Sequence, residues 1–151
     1  MTATEIGNDI IEHLRAIPGT AARPENIRAD DKTPPDVFPA IRVAYLRTEI
    51  EHINLRETPV NDPANIAGYT YIFNIRLQAE AYITDGDGFF ADSAAPGLAE
   101  KIRPLPAIMF ASNSRRRITW LVWSSGEYEA EETEPRPYVD MALSVEVNRG
   151  F

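Results

Sequence analysis

Cysteine is absent from this chain, which excludes a disulfide framework, thiolate-bound zinc, an iron–sulfur cluster and a cysteine nucleophile. Lysine is scarce as well: of 15 basic residues only Lys32 and Lys101 are lysines, and the rest are arginines. Two readings of that skew stand side by side, a base-composition bias and the better bidentate pairing of arginine with carboxylates across subunit contacts. Histidine is limited to His13 and His52, neither followed three or four positions on by a metal-ligating side chain, so both read as surface or boundary residues. No apolar run approaches the roughly 18 residues of a membrane span, and no basic segment followed by an apolar stretch opens the chain. Neither a bilayer-spanning helix nor a cleaved secretory signal is therefore expected. A Gly-x-Ser-x-Gly elbow, a phosphate loop and a dinucleotide fingerprint are all lacking. The chain is expected not to be an enzyme, and to use no metal or cofactor.

What is present is 151 residues, of which 44% are hydrophobic, enough for one domain spanning residues 1–151 with a core of its own. The 23 acidic residues leave a formal charge of −8. Affinity for a polyanion comes mainly from neutralising phosphates, so such a chain should not coat free nucleic acid, though it can surround DNA without gripping it.

Hydrophobic periodicity orders the chain. Ile6, Ile10, Leu14 and Ile17 line one face of a helix over 4–17, with Thr2 or Thr4 as cap and Pro18-Gly19 as stop. Residues 20–39, broken by Pro24, Pro34, Pro35 and Pro39, read as a loop with at most a short turn. Ile41, Val43 and Tyr45 alternate as a strand that continues irregularly toward Ile50 and Ile53, and a loop is expected over 55–68. The clearest signal is the alternation Tyr69, Tyr71, Phe73, Ile75, Leu77, Ala79, Ala81 and Ile83, with only Ile72 and Tyr82 spoiling the polar face. Fully extended, that strand would reach roughly 50 Å, longer than a compact domain of this size, so it must bend, bulge or project. Asp85-Gly86-Asp87-Gly88 ends it as a turn; as a calcium loop it lacks the closing glutamate, since Pro96 stands there. A second helix with Phe90, Ala94, Leu98 and Ile102 on one face is stopped by Pro104 and Pro106. Strands follow at 117–123, around Tyr128 and Ala130, and from Val139 to Val147. The order predicts an α+β domain in which an antiparallel or mixed sheet carries two helices on one face.

Charged constellations supply the remaining candidates. Asp85/Asp87 and Glu129/Glu131 are the acidic pairs that acid–base catalysis or a metal centre would need, although exposed neighbouring acids are ordinarily just solvated. Arg115-Arg116-Arg117 stands at the start of the Trp120 strand. It reads as a solvated turn guarding a strand edge, as the partner of Glu129, Glu131 and Glu132 on an identical neighbour, or as a DNA contact, the last opposed by the net charge. Trp120 and Trp123 fall on opposite faces, one for the core and the other, Trp123, for an interface.

The N-terminal helix, the strand Phe38-Pro39-Ala40-Ile41-Arg42-Val43, the long strand Tyr71–Ala79, the helix Ala94–Arg103 and the closing strand Tyr138–Val147 together cover most of the chain. This arrangement resembles the tail-terminator, or tail-completion, proteins of long-tailed bacteriophages. The likeness lies in hydrophobic patterns, which head-completion, neck, baseplate and other minor tail proteins share. It implies a structural virion protein, assembled in the bacterial cytoplasm. Six copies would form a ring that caps the major tail tube protein, stops tube growth and meets the head–tail connector. DNA would pass through the lumen without specific binding. Arg115, Arg116, Arg117, Glu129, Glu131, Glu132 and Trp123 are the expected subunit contacts, and Pro59, Asn61, Asp62 and Asn65 the expected partner-binding loop. A small metal-dependent hydrolase or ligand-binding α+β domain is the alternative of another class.

Overall fold

The computed structural model describes residues 2–33, 35–52, 66–78, 97–122 and 138–148. Helix α1 (Ala3–Arg15) starts where the Thr2 hydroxyl accepts the Glu5 N–H at 3.2 Å, and it buries Ile6, Ile10, Ile11 and Leu14. It ends two residues before Ile17, which packs beside the core rather than in the helix. Gly19 takes φ +76 in the following turn, and the Thr20 hydroxyl donates to the carbonyls of Leu14 and Ile17. Lys101, from the helical segment that follows Gly97, donates to Gly19 O at 3.1 Å, tying that turn down.

The segment expected to be a loop up to Pro39 contains structure. A 3-10 turn, Pro24–Asn26, leads into strand β1 (Ile27–Ala29), which pairs in parallel with Ile41–Val43. Three residues with one buried side chain give no detectable period. Asn26 is what fixes this segment: its Nδ2 donates to the carbonyls of Val37 and Pro39 at 2.7 and 2.8 Å. The Phe38–Pro39 peptide between them is cis.

Strands β2 (Ala40–His52) and β3 (Ile66–Gln78) pair antiparallel. Helix α2 (Leu98–Ile102) begins after an extended Gly97, so no helix runs through Gly97 from Phe89. α2 stops at Ile102, just before Pro104 as expected, but Pro106 does not keep the next residues out of a helix. Helix α3 (Leu105–Ser112) follows at once with Pro106 in its first turn, where no intrahelical N–H is required. Strands β4 (Arg116–Val122) and β5 (Tyr138–Asn148) complete a sheet of order β1-β2-β3-β5-β4, antiparallel except for β1. The fold is α+β with a mixed sheet, its helices packed on one face.

The core lies between that face and the helices: Ile41 and Val43, Phe73, Ile75 and Leu77, and Val139, Met141, Leu143 and Val145 meet Ile6, Ile10, Leu14, Ile102, Leu105 and Met109. Burying a side chain the size of Phe73 contributes about 2–3 kcal/mol. Over its described length β3 has no bulge against β5. Three irregularities occur elsewhere: Leu46 is an extra residue of β2 against β3, Ala67 an extra residue of β3 against β2, and Leu121 an extra residue of β4 against β5. The long-strand positions 79–83, the turn 85–88 and the strand around Tyr128 lie outside the described residues.

Candidate functional site: the sheet edges and the polar face

Strand alternation sends Arg42, Asn74, Arg76, Gln78, Asp140, Ser144 and Glu146 to the face opposite the core. Arg76 donates to both oxygens of Asp140 at 2.8 and 2.9 Å, Asn74 Nδ2 adds a third bond at 3.2 Å, and the guanidinium lies 4.2 Å from the Tyr138 ring centre. Donation to the Asp140 carboxylate raises the Arg76 pKa above its ordinary value, against a smaller opposing effect of burial. Arg42 lies in the same row, 5% exposed, and donates to the backbone carbonyls of Asn26 and Ile41 and to Asn26 Oδ1. Burial, chiefly, lowers its pKa. Its Nε has no acceptor, so it serves as a clamp holding the 3-10 turn to the sheet by neutral partners. Ile72 stands on this polar face and is nevertheless buried.

The helices cover only part of the other face. Beyond Phe73, Tyr69 and Tyr71 are half-buried, while Tyr45 and Ile50 on β2 are each 48% exposed. Tyr45 packs edge-on to Phe73 with ring centres 5.8 Å apart. Burial, then the neighbouring phenols of Tyr69 and Tyr45, raises the Tyr71 pKa. At the edges, Leu46, Leu121 and Val122 are about half exposed. β1 pairs with only three residues of β2, so β2 from Ala44 onward has no strand on its outer side among the described residues, and neither does β4. Unpaired strand edges with exposed apolar side chains are the surfaces most apt to pair with another chain.

The three consecutive arginines are not one cationic surface. Arg115 and Arg117 are exposed, but Arg116 points to the helix side, is 7% exposed and bonds Asp9 of α1 in its own chain. Its expected role as a contact to a neighbour is thereby corrected: period-2 alternation across the triplet turns its middle member inward. Asp9 also anchors His13, whose Nδ1 lies 2.7 Å from the Asp9 carbonyl oxygen. This four-residue spacing runs backward along the helix, and a forward search for ligands from His13 passes over it. Trp120 lies half-buried on the helix side and donates from Nε1 to Arg103 O at 3.1 Å. Glu129, Glu131, Glu132, Trp123, Pro59, Asn61, Asp62 and Asn65 lie outside the described residues, as do Asp85 and Asp87, and the His52 side chain is not described either. Among the described residues no three His, Asp or Glu side chains gather as metal ligands, and no helix is long and apolar enough to cross a membrane. Sequence reasoning missed Asp9, Arg42, Glu49 and Glu51. The break in alternation at Leu46 was the available signal that Glu49 and Glu51 sit past a bulge, on the polar face.

No known protein-family model matches the chain, and no curated protein matches it.

Proposed function

We propose that this chain is a non-enzymatic structural protein whose copies join side by side into a ring at the end of a phage tail tube, as the resemblance to tail terminators implies. The observation that supports the reading most is the sheet itself. Helices cover part of one face, while among the described residues β4 and the stretch of β2 beyond Val43 carry no further strand and expose Leu46, Leu121 and Val122. Head-to-tail contacts between two different edges repeat, and they close into a ring when their rotation allows. The net charge of −8 suits a conduit for DNA, because like charge lets a polyanion slide without sticking. On this reading one ring face docks on the tube protein and the other lacks that docking surface, so growth stops there. Electron microscopy of the chain, alone and with tube protein, tests the proposal. A closed ring that caps tubes at one end is the expected result. Particles that stay monomeric at every concentration and leave tube length unchanged would refute it.

A further inference from the structure

Among the described residues two strand edges carry no further strand, and these two edges fit each other. β1 occupies the outer side of β2 at Ile41–Val43 and leaves the stretch from Ala44 to Ile50 open. β4, seven residues long, stands across the sheet at the same height as that open stretch: through β3 and β5, Arg116 is level with Ile50, Arg117 with Glu49, and Val122 with Ala44. β4 runs opposite to β2, since three antiparallel steps separate them. A neighbouring copy set level beside this one would therefore bring its β4 antiparallel into the slot above β1.

The register agrees as well. Each outer strand carries one extra residue, Leu46 in β2 and Leu121 in β4, and the bulges lie at nearly the same height. Ala44 and Glu49 are thus five positions apart, as are Val122 and Arg117. The two strands can then pair without interruption: Glu49 faces Arg117, Arg47 faces Thr119, Leu46 faces Trp120, and Ala44 faces Val122, while Arg115, in the turn just before β4, comes level with Glu51. Away from the two bulges, partners fall on the same side of the sheet, as an antiparallel ladder requires. The exposed acids of one edge thereby meet the exposed cations of the other, and the half-exposed Leu46 and Leu121 fall together in the seam. Among the described residues Glu49 is held in its own chain by Arg47, at 3.1 Å between two exposed side chains, a contact weak enough to exchange.

We propose that a second copy of this chain docks by running its β4 along residues 44–50 of β2, so that one sheet continues from copy to copy with Glu49 and Glu51 opposite the neighbour's Arg117 and Arg115. This contact rests on the self-assembling reading above and names its lateral surface. Two edges of different kind meet, so the contact repeats without being self-complementary.

Complementary charge reversal tests it. Arg115→Glu/Arg117→Glu sets acid against acid at every seam, and Glu49→Arg/Glu51→Arg sets base against base. Each variant alone should need about tenfold or more protein for half-association in sedimentation velocity at low salt. An equimolar mixture should regain the wild-type midpoint, because every seam between the two variants is again complementary. All four positions are exposed, and circular dichroism checks that each variant folds. The absence of native cysteine allows a second measurement on the full chain: Arg47→Cys/Thr119→Cys should give a ladder of disulfide-linked oligomers on oxidation, while neither single variant does. Within one copy these positions are three strand spacings apart, about 14 Å, beyond the reach of a disulfide. Association that survives both reversals, together with no ladder, overturns the contact and leaves the ring reading standing. A wild-type chain that is monomeric at all concentrations, with or without tube protein, overturns both.

Discussion

Removing the Asp9 carboxylate should uncover how much the fold depends on turning Arg116 inward. The Arg116 side chain is 8% exposed and that of Asp9 30%. A fully buried pair broken from one side costs about 3–5 kcal/mol, because a charge is left in a dry site. An exposed pair is worth about 0–1 kcal/mol. With one partner buried and the other a third open to water, Asp9→Ala is expected to cost about 2 kcal/mol. Arg116→Met removes the buried charge and keeps an apolar stem, so about 1 kcal/mol is expected there. The double variant should resemble Arg116→Met alone and lose about 2 kcal/mol less than the sum of the single losses. Asp9→Ala also removes the contact of the Asp9 carboxylate with His13 Nδ1 at 3.4 Å, a small part of the loss, and keeps the backbone carbonyl that His13 contacts. Urea unfolding at pH 7 and low salt, repeated over a range of protein concentrations to separate folding from association, reads these differences. Losses below about 0.5 kcal/mol that simply add would refute the view that burial, rather than surface charge, governs Arg116.

Two further outcomes follow from local geometry. A methyl group at Gly7 would stand 3.3 Å from Phe73 Cε1, and Phe73 is buried with its ring against Tyr45. Gly7→Ala should lower the melting temperature despite the roughly 1 kcal/mol that alanine contributes within a helix, and should raise it when introduced into Phe73→Leu; the same sign in both backgrounds would refute the contact. Asp31 accepts the Thr33 N–H at 2.9 Å, and that bond is the main cause of a pKa below the ordinary aspartate value. Its folded pKa being depressed, the contribution is complete above the unfolded value of about 3.9 and is lost as pH falls through the folded one. A carboxyl-detected NMR titration should find the Asp31 midpoint below those of unperturbed aspartates, and a midpoint at or above them would count against the bond.

The sheet edges illustrate why a strand pattern can be read while its use cannot. Tyr71, Phe73, Ile75 and Leu77 alternate because one face is buried and the other is not, and that difference survives in any single-strand reading. The acidic side chains of Glu49 and Glu51 and the cations of Arg115 and Arg117 are far apart in the chain, and only the strand order sets them at one height on opposite edges. Arg116 shows the converse failure: three identical letters suggest one surface, whereas the backbone period divides them. β1 was illegible for a different reason, since its three residues are held by Asn26 and Arg42 through backbone carbonyls of distant segments.

The amino-acid order by itself determined α1, with its Thr2 cap and four-residue stripe, the paths of β2, β3, β4 and β5, and the class in which helices cover one face of a sheet. These depend on period and on local capping, which act over a few residues. The parallel β1, the restart of the helix through Pro106, the inward Arg116 and the matching heights of the two edges were decided only by tertiary structure. Each of them is a relation between residues distant along the chain, and strand order and register, which no local pattern contains, bring them together.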